Sequence, residues 1–471
     1  METAPLQAEL KHKISQAGQI VASYKWLIDA YIVDFYEEDH WSKLPASWAA
    51  FLADIPIRTL SHLLSFDLPD KELAVWPLAI ITLRSLFRFL VHTRTKTPEC
   101  TKREVALGET HGGTIYRQQT ALFKKSVKLK KRHEIEQFAI SCFTQPTDNC
   151  KTIIDIGSGQ GNLARTLAYG FGFKVCCIEQ NMSFVQIARQ KDSELWQRLI
   201  KYDPTLEDTV VHPVHLHEKV NLDQIDSVKF VQMLKRVLNF GRELTSDADE
   251  FSFGLVGLHP CGDLAPSLLR LFLACQECRF VKLVCCCYMK LSSIDSSLGI
   301  STRECGFPLS EFCHKLHLTL TYEAREIACH AIEQYREKLL TNYSELKVHA
   351  YRAAIETIIV RLRPDLRHSG LKGGIKASEV TFEEYCRRAV VDLDLAIADE
   401  EFQSEITRQF LDRWEQVVKF YTLRLMFAPL VETIILYDRL LFLLEKGTRA
   451  GIDVIFDPFL SPRNHAITAF K

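Results

Sequence analysis

An α/β fold, built on an open and mostly parallel sheet that carries a cofactor loop, is what three features of this 471-residue sequence predict. A β-branched run, Ile153-Ile154-Asp155-Ile156, enters glycines at 157, 159 and 161, and a helix-compatible run from Leu163 to Ala168 follows, which is the pattern of strand, tight loop and helix. A second strand-like run, Phe173 to Ile178, closes on Glu179, eighteen residues beyond Gly161. Two later runs, Ser252 to Leu258 and Phe280 to Cys286, end in the polar tips His259-Pro260-Cys261-Gly262-Asp263-Leu264 and Cys287-Tyr288-Met289-Lys290. In an open parallel sheet the ligand crevice lies beyond the carboxyl ends of the strands, so these ends should share one site.

The glycines permit φ > 0 and leave no Cβ between backbone and ligand, so a flat or bulky cofactor can lie on the loop. A dinucleotide fingerprint wants G-x-G-x-x-G; here the third glycine comes one position early and residue 162 is Asn. The form Asp155-x-Gly157-Ser158-Gly159-x-Gly161 resembles motif I of class I S-adenosylmethionine-dependent methyltransferases. That resemblance implies a class I, Rossmann-like sheet with S-adenosyl-L-methionine as its cofactor and a loop shaped by Asp155, Gly157, Ser158, Gly159 and Gly161. Glu179 would then accept hydrogen bonds from both ribose hydroxyls, each charge-assisted bond contributing about 1.5–3 kcal/mol.

In chain order, apolar residues at Ile20, Tyr24, Leu27, Ile28, Tyr31 and Phe35 form a helical stripe, and helical periodicity runs on to about His92, so residues 1–112 read as a helical N-terminal domain. Thr93 to Gly113 is polar and glycine-bearing, a linker or loop. A basic cluster follows: Lys124, Lys125, Lys128, Lys130, Lys131 and Arg132 occupy six of nine positions and run into a helix from Arg132 to Phe143. Such a run is either a solvated face or a phosphate contact. After Glu179 come a helix, Ser183 to Leu199, and a third strand within Thr209 to Leu216. Its His212, His215 and His217 make a weak metal case, because no Cys or carboxylate follows at ligand spacing, and Cys275-x-x-Cys278 inside a helical pattern is as weak. Residues 113–300 read as the core with strands one to five. Residues 301–409 read as a helical insertion after strand five, with helices at Leu309 to Leu316, Arg325 to Leu340, Tyr351 to Arg361 and Thr381 to Ala396. A long helix, Phe410 to Glu445, kinked at Pro429, and a hairpin of Gly451 to Phe456 with His465 to Phe470 complete the core over 410–471.

The length calls for two or three domains or subdomains, and 47% apolar with 25% charged residues is the composition of a globular protein. A formal net charge of −1 gives no global field for nucleic acid or membrane, so any such partner needs a local patch. No apolar segment opens the chain, so the fifteen cysteines are expected to stay reduced in an intracellular protein, cytoplasmic or nuclear. Cys176-Cys177 and Cys285-Cys286-Cys287 fall in apparent strands and read as small buried hydrophobes. The runs Val75 to Val91 and Phe420 to Leu444 carry internal charges and read as buried amphipathic helices, so no membrane anchor is expected.

Taken together, D-I-G-S-G-Q-G-N-L, G-L-H-P-C-G-D-L, C-C-Y-M-K-L, A-C-H-A-I-E-Q-Y, A-P-L-V-E-T and L-S-P-R-N, spanning residues 155 to 464, closely resemble the methyltransferase-like 25 family. More distantly, the chain is similar to the transfer-RNA 2′-O-methyltransferase 13 family. Adenine-N6 methyltransferases carry (Asn/Asp)-Pro-Pro-Tyr or Asn-Leu-Pro-Tyr after strand four, and Leu258-His259-Pro260-Cys261 departs from that pattern, which speaks against adenine dimethylation. The expected reaction is methyl transfer. It is an in-line displacement that needs alignment and deprotonation of the acceptor, and it requires no metal. His259, Asp263, Tyr288 and Lys290 are the catalytic candidates. Tyr288 and Lys290, two apart in an extended segment, should project the same way, and a lysine beside a sulfonium has reason to lose its proton and act as base. Lys124, Lys128, Lys131, Arg463 and Asn464 are the substrate-binding candidates. RNA is the expected acceptor; a protein side chain, or an inactive methyltransferase fold used as a binding module, are the alternatives.

Overall fold

The computed structural model describes residues 3–66, 75–96, 127–144, 150–202, 204–208, 210–220, 226–238, 251–293 and 305–471. The chain divides into two compact units: Met1–Ser15, Thr93–Leu320 and Ile434–Lys471 form the first, Gln16–His92 and Thr321–Thr433 the second.

The first unit is built on one seven-stranded sheet. Its strands are β1 (Thr152–Ile156), β2 (Lys174–Glu179), β3 (Val214–His217), β4 (Phe253–Leu258), β5 (Cys278–Val284), β6 (Arg449–Val454) and β7 (His465–Phe470). Their order across the sheet is β3-β2-β1-β4-β5-β7-β6; the first five are parallel, and β7 runs antiparallel between β5 and β6. This is the class I methyltransferase sheet, with its closing hairpin. The order reverses between β1 and β4, and a ligand crevice therefore opens beyond their carboxyl ends. Near-continuous apolar strands suit a parallel sheet covered on both faces: Ile153, Val175, Val256 and Phe280 pack with Ile135 and Phe138 of the helix Leu129–Thr144. A Cβ at Gly254 would meet the Phe280 ring at 2.1 Å, so this glycine answers to close packing.

Lys282 is wholly buried in β5, its ammonium satisfied by the carbonyl of Ser141 at 3.2 Å and by the Ser141 hydroxyl, and burial lowers its pKa.

Several boundaries differ from the sequence reading: the helix expected over Arg325 to Leu340 is two, Tyr322–Ile327 and Ile332–Thr341, and the one expected over Thr381 to Ala396 ends at Ala389. β3 begins at Val214, which leaves His212 outside it. β5 runs from Cys278 to Val284, so the cysteine triplet follows the strand instead of lying within it, and Cys275 and Cys278 bracket the junction from helix to strand. The single helix expected over 410–445 is broken: Glu405–Asp412 ends within its start, and two helices follow, Trp414–Leu425 and Ala428–Glu445. Pro429 lies in the first turn of the last, where its missing N–H costs nothing.

The second unit is helical, and its helices come from both ends of its sequence: Ala46–Asp54 and Leu78–Leu90 from the N-terminal part, Ile332–Thr341, Lys347–Leu362 and Trp414–Leu425 from the later part. The N-terminal helices and the helices after strand five thus share one unit. Buried Arg424 ties them, donating from Nε to the carbonyl of Ile28 at 2.8 Å and from Nη2 to that of Glu323 at 3.0 Å. Among the described residues no helix is long and apolar enough to cross a membrane.

Candidate active site

The glycine loop begins where β1 ends. Gly157, Gly159 and Gly161 have φ of +79°, +56° and +67°, a conformation that side chains with a Cβ adopt only under strain. A Cβ at Gly161 would lie 2.8 Å from Cε1 of His215, whereas one at Gly159 would meet nothing within 4 Å. One side of the loop is therefore packed and the other open. Glu179, at the tip of β2 and only 8% exposed, accepts from the Gly159 amide through Oε2 and from the Asn181 amide through Oε1, both at 2.9 Å. An ionised carboxylate has about four acceptor positions, so two remain for a diol. Asp155 is buried behind the loop, and burial, reinforced by the charge of Glu179, pushes its carboxyl up to about 7.

A buried network, absent from the sequence reading, holds the loop from behind. Arg165 Nη2 donates to the carbonyl of Gln160 and to Oδ1 of Asn162, each at 2.7 Å, and its Nη1 pairs with Asp192 at 2.7 Å; His215 Nε2 meets the other oxygen of Asp192 at 2.6 Å. His212 contacts the Tyr169 hydroxyl and His217 the Gln180 carbonyl, so the three histidines are engaged separately. Lys191 donates to Gln160 Oε1 at 2.6 Å, and burial, with the charges of Arg165 and Lys131, lowers its pKa. Lys128 and Lys131 are exposed at the start of the helix Leu129–Thr144, and Lys124 lies outside the described residues.

The tip of β4 holds a second set of groups. His259 has φ +68° and its amide donates to the carbonyl of Val284 at 2.9 Å, locking the tip of β4 to that of β5. Its Nε2 stands 3.1 Å from Oε2 of Glu134, a buried carboxylate on the helix Leu129–Thr144 whose Oε1 accepts from the Ser461 hydroxyl at 2.6 Å. Burial opposes ionisation of Glu134, yet the hydrogen bond and charge of His259, helped by Ser461 and Lys130, hold its pKa below the usual carboxylate range. Glu134 and Ser461 were not among the sequence candidates.

The remaining candidates are placed differently from expectation. Tyr288, Met289 and Lys290 form a 3-10 turn, not an extended tip, so Tyr288 and Lys290 do not share a face: Tyr288 is 2% exposed with the Arg439 guanidinium 5.6 Å from its ring centroid, and Lys290 faces solvent. Tyr288 cannot stack on a substrate base from there. Asp263 Oδ1 accepts from the Ser292 amide at 2.8 Å, fixing the segment after β5. Arg463 and Asn464 are buried in the loop of the closing hairpin, and Asn464 Nδ2 donates to the carbonyl of Arg94 at 2.7 Å, so Asn464 anchors backbone where a substrate contact was expected.

The thiols at these tips were also misread. Cys261 Sγ lies 3.2 Å from both Cys286 Sγ and Cys287 Sγ, which are 3.4 Å from each other. Cys261 is exposed and the other two half-buried, unlike the buried cysteines of the strands.

Residues 130–294 match the family described as a methyltransferase domain. The chain is also similar to the probable methyltransferase-like protein 25 of Homo sapiens, 32% identical over 223 residues that cover 46% of this chain and 36% of that protein. The Mus musculus counterpart is 31% identical over 224 residues, 46% of this chain and 37% of that protein. The match thus spans little more than a third of those relatives. Among solved structures, magnesium protoporphyrin IX methyltransferase from Synechocystis PCC 6803 with bound SAH aligns at 13% identity and a TM-score of 0.22, covering 38% of this chain and 71% of that one. The plantazolicin methyltransferase BpumL with SAH aligns at 10% identity and a TM-score of 0.19, covering 67% and 93%. The glycine loop, β2 tip and β4 tip described above all fall within the matched methyltransferase domain.

Proposed function

We propose that this chain is an S-adenosylmethionine-dependent methyltransferase acting on RNA, with residues 113–300 and the closing hairpin as its catalytic core. The observation that carries the cofactor is Glu179: its two oxygens each hold one backbone amide and retain one acceptor position, next to a glycine loop open at Gly159. The residues fit the cofactor. Glu179 would hold its ribose, and Asp155, Gly157, Ser158, Gly159 and Gly161 would seat it. When bound, S-adenosylmethionine supplies a methyl group on a sulfonium sulfur. The rest falls to the protein. His259, oriented by Glu134, can take the proton that leaves an acceptor hydroxyl or amine, and Glu134 stabilises the imidazolium that results. RNA is favoured by exposed Lys128 and Lys131, at the start of the helix that carries Glu134.

Calorimetry with the purified chain should detect cofactor binding, weakened about tenfold or more in Glu179→Ala through loss of the ribose hydrogen bonds. Tritiated methyl transfer to RNA and protein fractions from cells lacking the chain then tests the acceptor. Labelled RNA supports the reading; label confined to protein replaces the RNA assignment, and a folded chain that binds no cofactor overturns the enzyme.

A further inference from the structure

We propose that Cys261, Cys286 and Cys287 form a binding site for a soft divalent cation, Zn2+, held by three thiolates with a fourth position left to an outside ligand. The three sulfurs converge from two separate segments, the tip of β4 and the turn after β5, with spacings of 3.2, 3.2 and 3.4 Å. A tetrahedral zinc with Zn–S near 2.3 Å sets sulfurs about 3.8 Å apart, so the triangle needs to open by roughly half an ångström. Side-chain rotation on two turns can supply that. No disulfide joins the three, and a disulfide could link only two of them at about 2.05 Å, leaving the third thiol against it.

Packing does not account for the cluster. The strand cysteines Cys176, Cys177 and Cys278 are buried, as small hydrophobes should be, whereas Cys261 is exposed and Cys286 and Cys287 are half-buried. The backbone also goes to some length to bring them together. His259 at φ +68° and Gly262 at φ +57° turn the β4 tip back on itself, and a Cβ at Gly262 would lie 2.8 Å from the carbonyl of Lys290, so only glycine lets the two turns approach this closely. Soft thiolate donors select Zn2+ over Mg2+ or Ca2+, and a site with three protein ligands keeps one position open. The three thiols lose their protons on binding, so uptake releases up to three protons to buffer. The expectation that methyl transfer needs no metal does not bear on this cluster, and the proposal does not depend on the acceptor.

The test uses the full chain, isolated under reducing conditions. Elemental analysis should find one zinc per chain, and Co2+ added to the stripped protein should produce thiolate-to-metal charge-transfer absorption. Cys261→Ser should weaken Zn2+ binding by more than the 10–100-fold typical of losing an outer partner, while Cys329→Ser, at a half-buried thiol of the helical unit, leaves it unchanged. Should Cys261→Ser fail to fold, alkylation mapped by mass spectrometry on the wild-type chain decides: Zn2+ should protect residues 261, 286 and 287 from iodoacetamide. Absence of metal together with no charge-transfer band and no protection overturns the site, as does air oxidation to a disulfide that Zn2+ fails to prevent.

Discussion

The proposed cofactor half of the site, at the tips of β1 and β2, and the proposed acceptor half, at the tips of β4 and β5, are built by different means. In the first, the groups that matter are neighbours in sequence: three glycines with φ between +56° and +79° and a glutamate that closes the next strand. In the second, His259 takes its partner from the helix Leu129–Thr144, that partner takes a hydroxyl from the hairpin loop, and Cys261 meets two thiols from beyond β5. A loop that must seat a conserved chemical shape can be specified locally by backbone conformation. A proton-handling pair can be assembled from any elements that the fold brings within hydrogen-bond reach.

The sharpest way to break this comparison is to separate the halves by mutation. His259→Ala should reduce methyl transfer by roughly 10²–10⁴-fold with cofactor affinity unchanged, because it removes the proton acceptor and touches nothing on the glycine loop. Glu134→Gln should reproduce part of that loss, on the order of tenfold, and shift the pH profile of the rate, since the amide cannot stabilise an imidazolium. Unchanged turnover in His259→Ala would move proton removal elsewhere and leave the pair a structural clamp between helix and strand.

The same contrast explains what could be read from sequence. The conformation of the loop and the place of Glu179 at a strand tip were legible, because φ > 0 favours glycine and the end of an apolar run shows where the strand tip lies. Strands β1, β2, β4 and β5 were legible as short apolar runs that end in polar or glycine-bearing turns, and the closing hairpin as a strand pair around Asp457-Pro458 and Ser461-Pro462. Glu134 was hidden: in sequence it is one charge in a basic helix, and only its burial, at 4% exposure, sets it apart. Tyr288 and Lys290 were misjudged because strand five was extended past Val284, and residues two apart that share a face in a strand diverge in a 3-10 turn. The same overrun placed Cys286 and Cys287 inside the sheet. Asn464 closes the L-S-P-R-N stretch yet serves the hairpin, its amide held on the carbonyl of Arg94.

Within the cofactor half, Asp155 offers a pH-dependent test of a smaller kind. Its carboxyl titrates near 3.8 when exposed and near 7 when folded, so below about 4 it is protonated in both states and costs nothing. Between these values the unfolded chain ionises first, and the folded state loses stability as pH rises, on the order of 4 kcal/mol by pH 7 and level above it. Asp155→Asn should therefore gain on the wild type as pH goes from 4 to 7, measured by urea unfolding. A stability difference that does not change with pH would mean that donors in the folded loop offset both the burial of this carboxylate and the repulsion of Glu179.

The smallest expected effect lies at the rim between the halves, where Lys128 and Lys131 open the helix that also carries Glu134. Charge reversal at both should weaken RNA binding several-fold and lower the slope of log affinity against log salt by about two, because each phosphate contact releases close to one counterion. Cofactor affinity should stay within a factor of about two, since both lysines are exposed and their charges are screened by salt over distances beyond about 10 Å. The variant thus isolates the acceptor. A solvated helix face would leave both affinity and salt slope as they were, and a uniform loss of RNA and cofactor binding would instead trace Lys131 through Lys191 and Gln160 into the glycine loop itself.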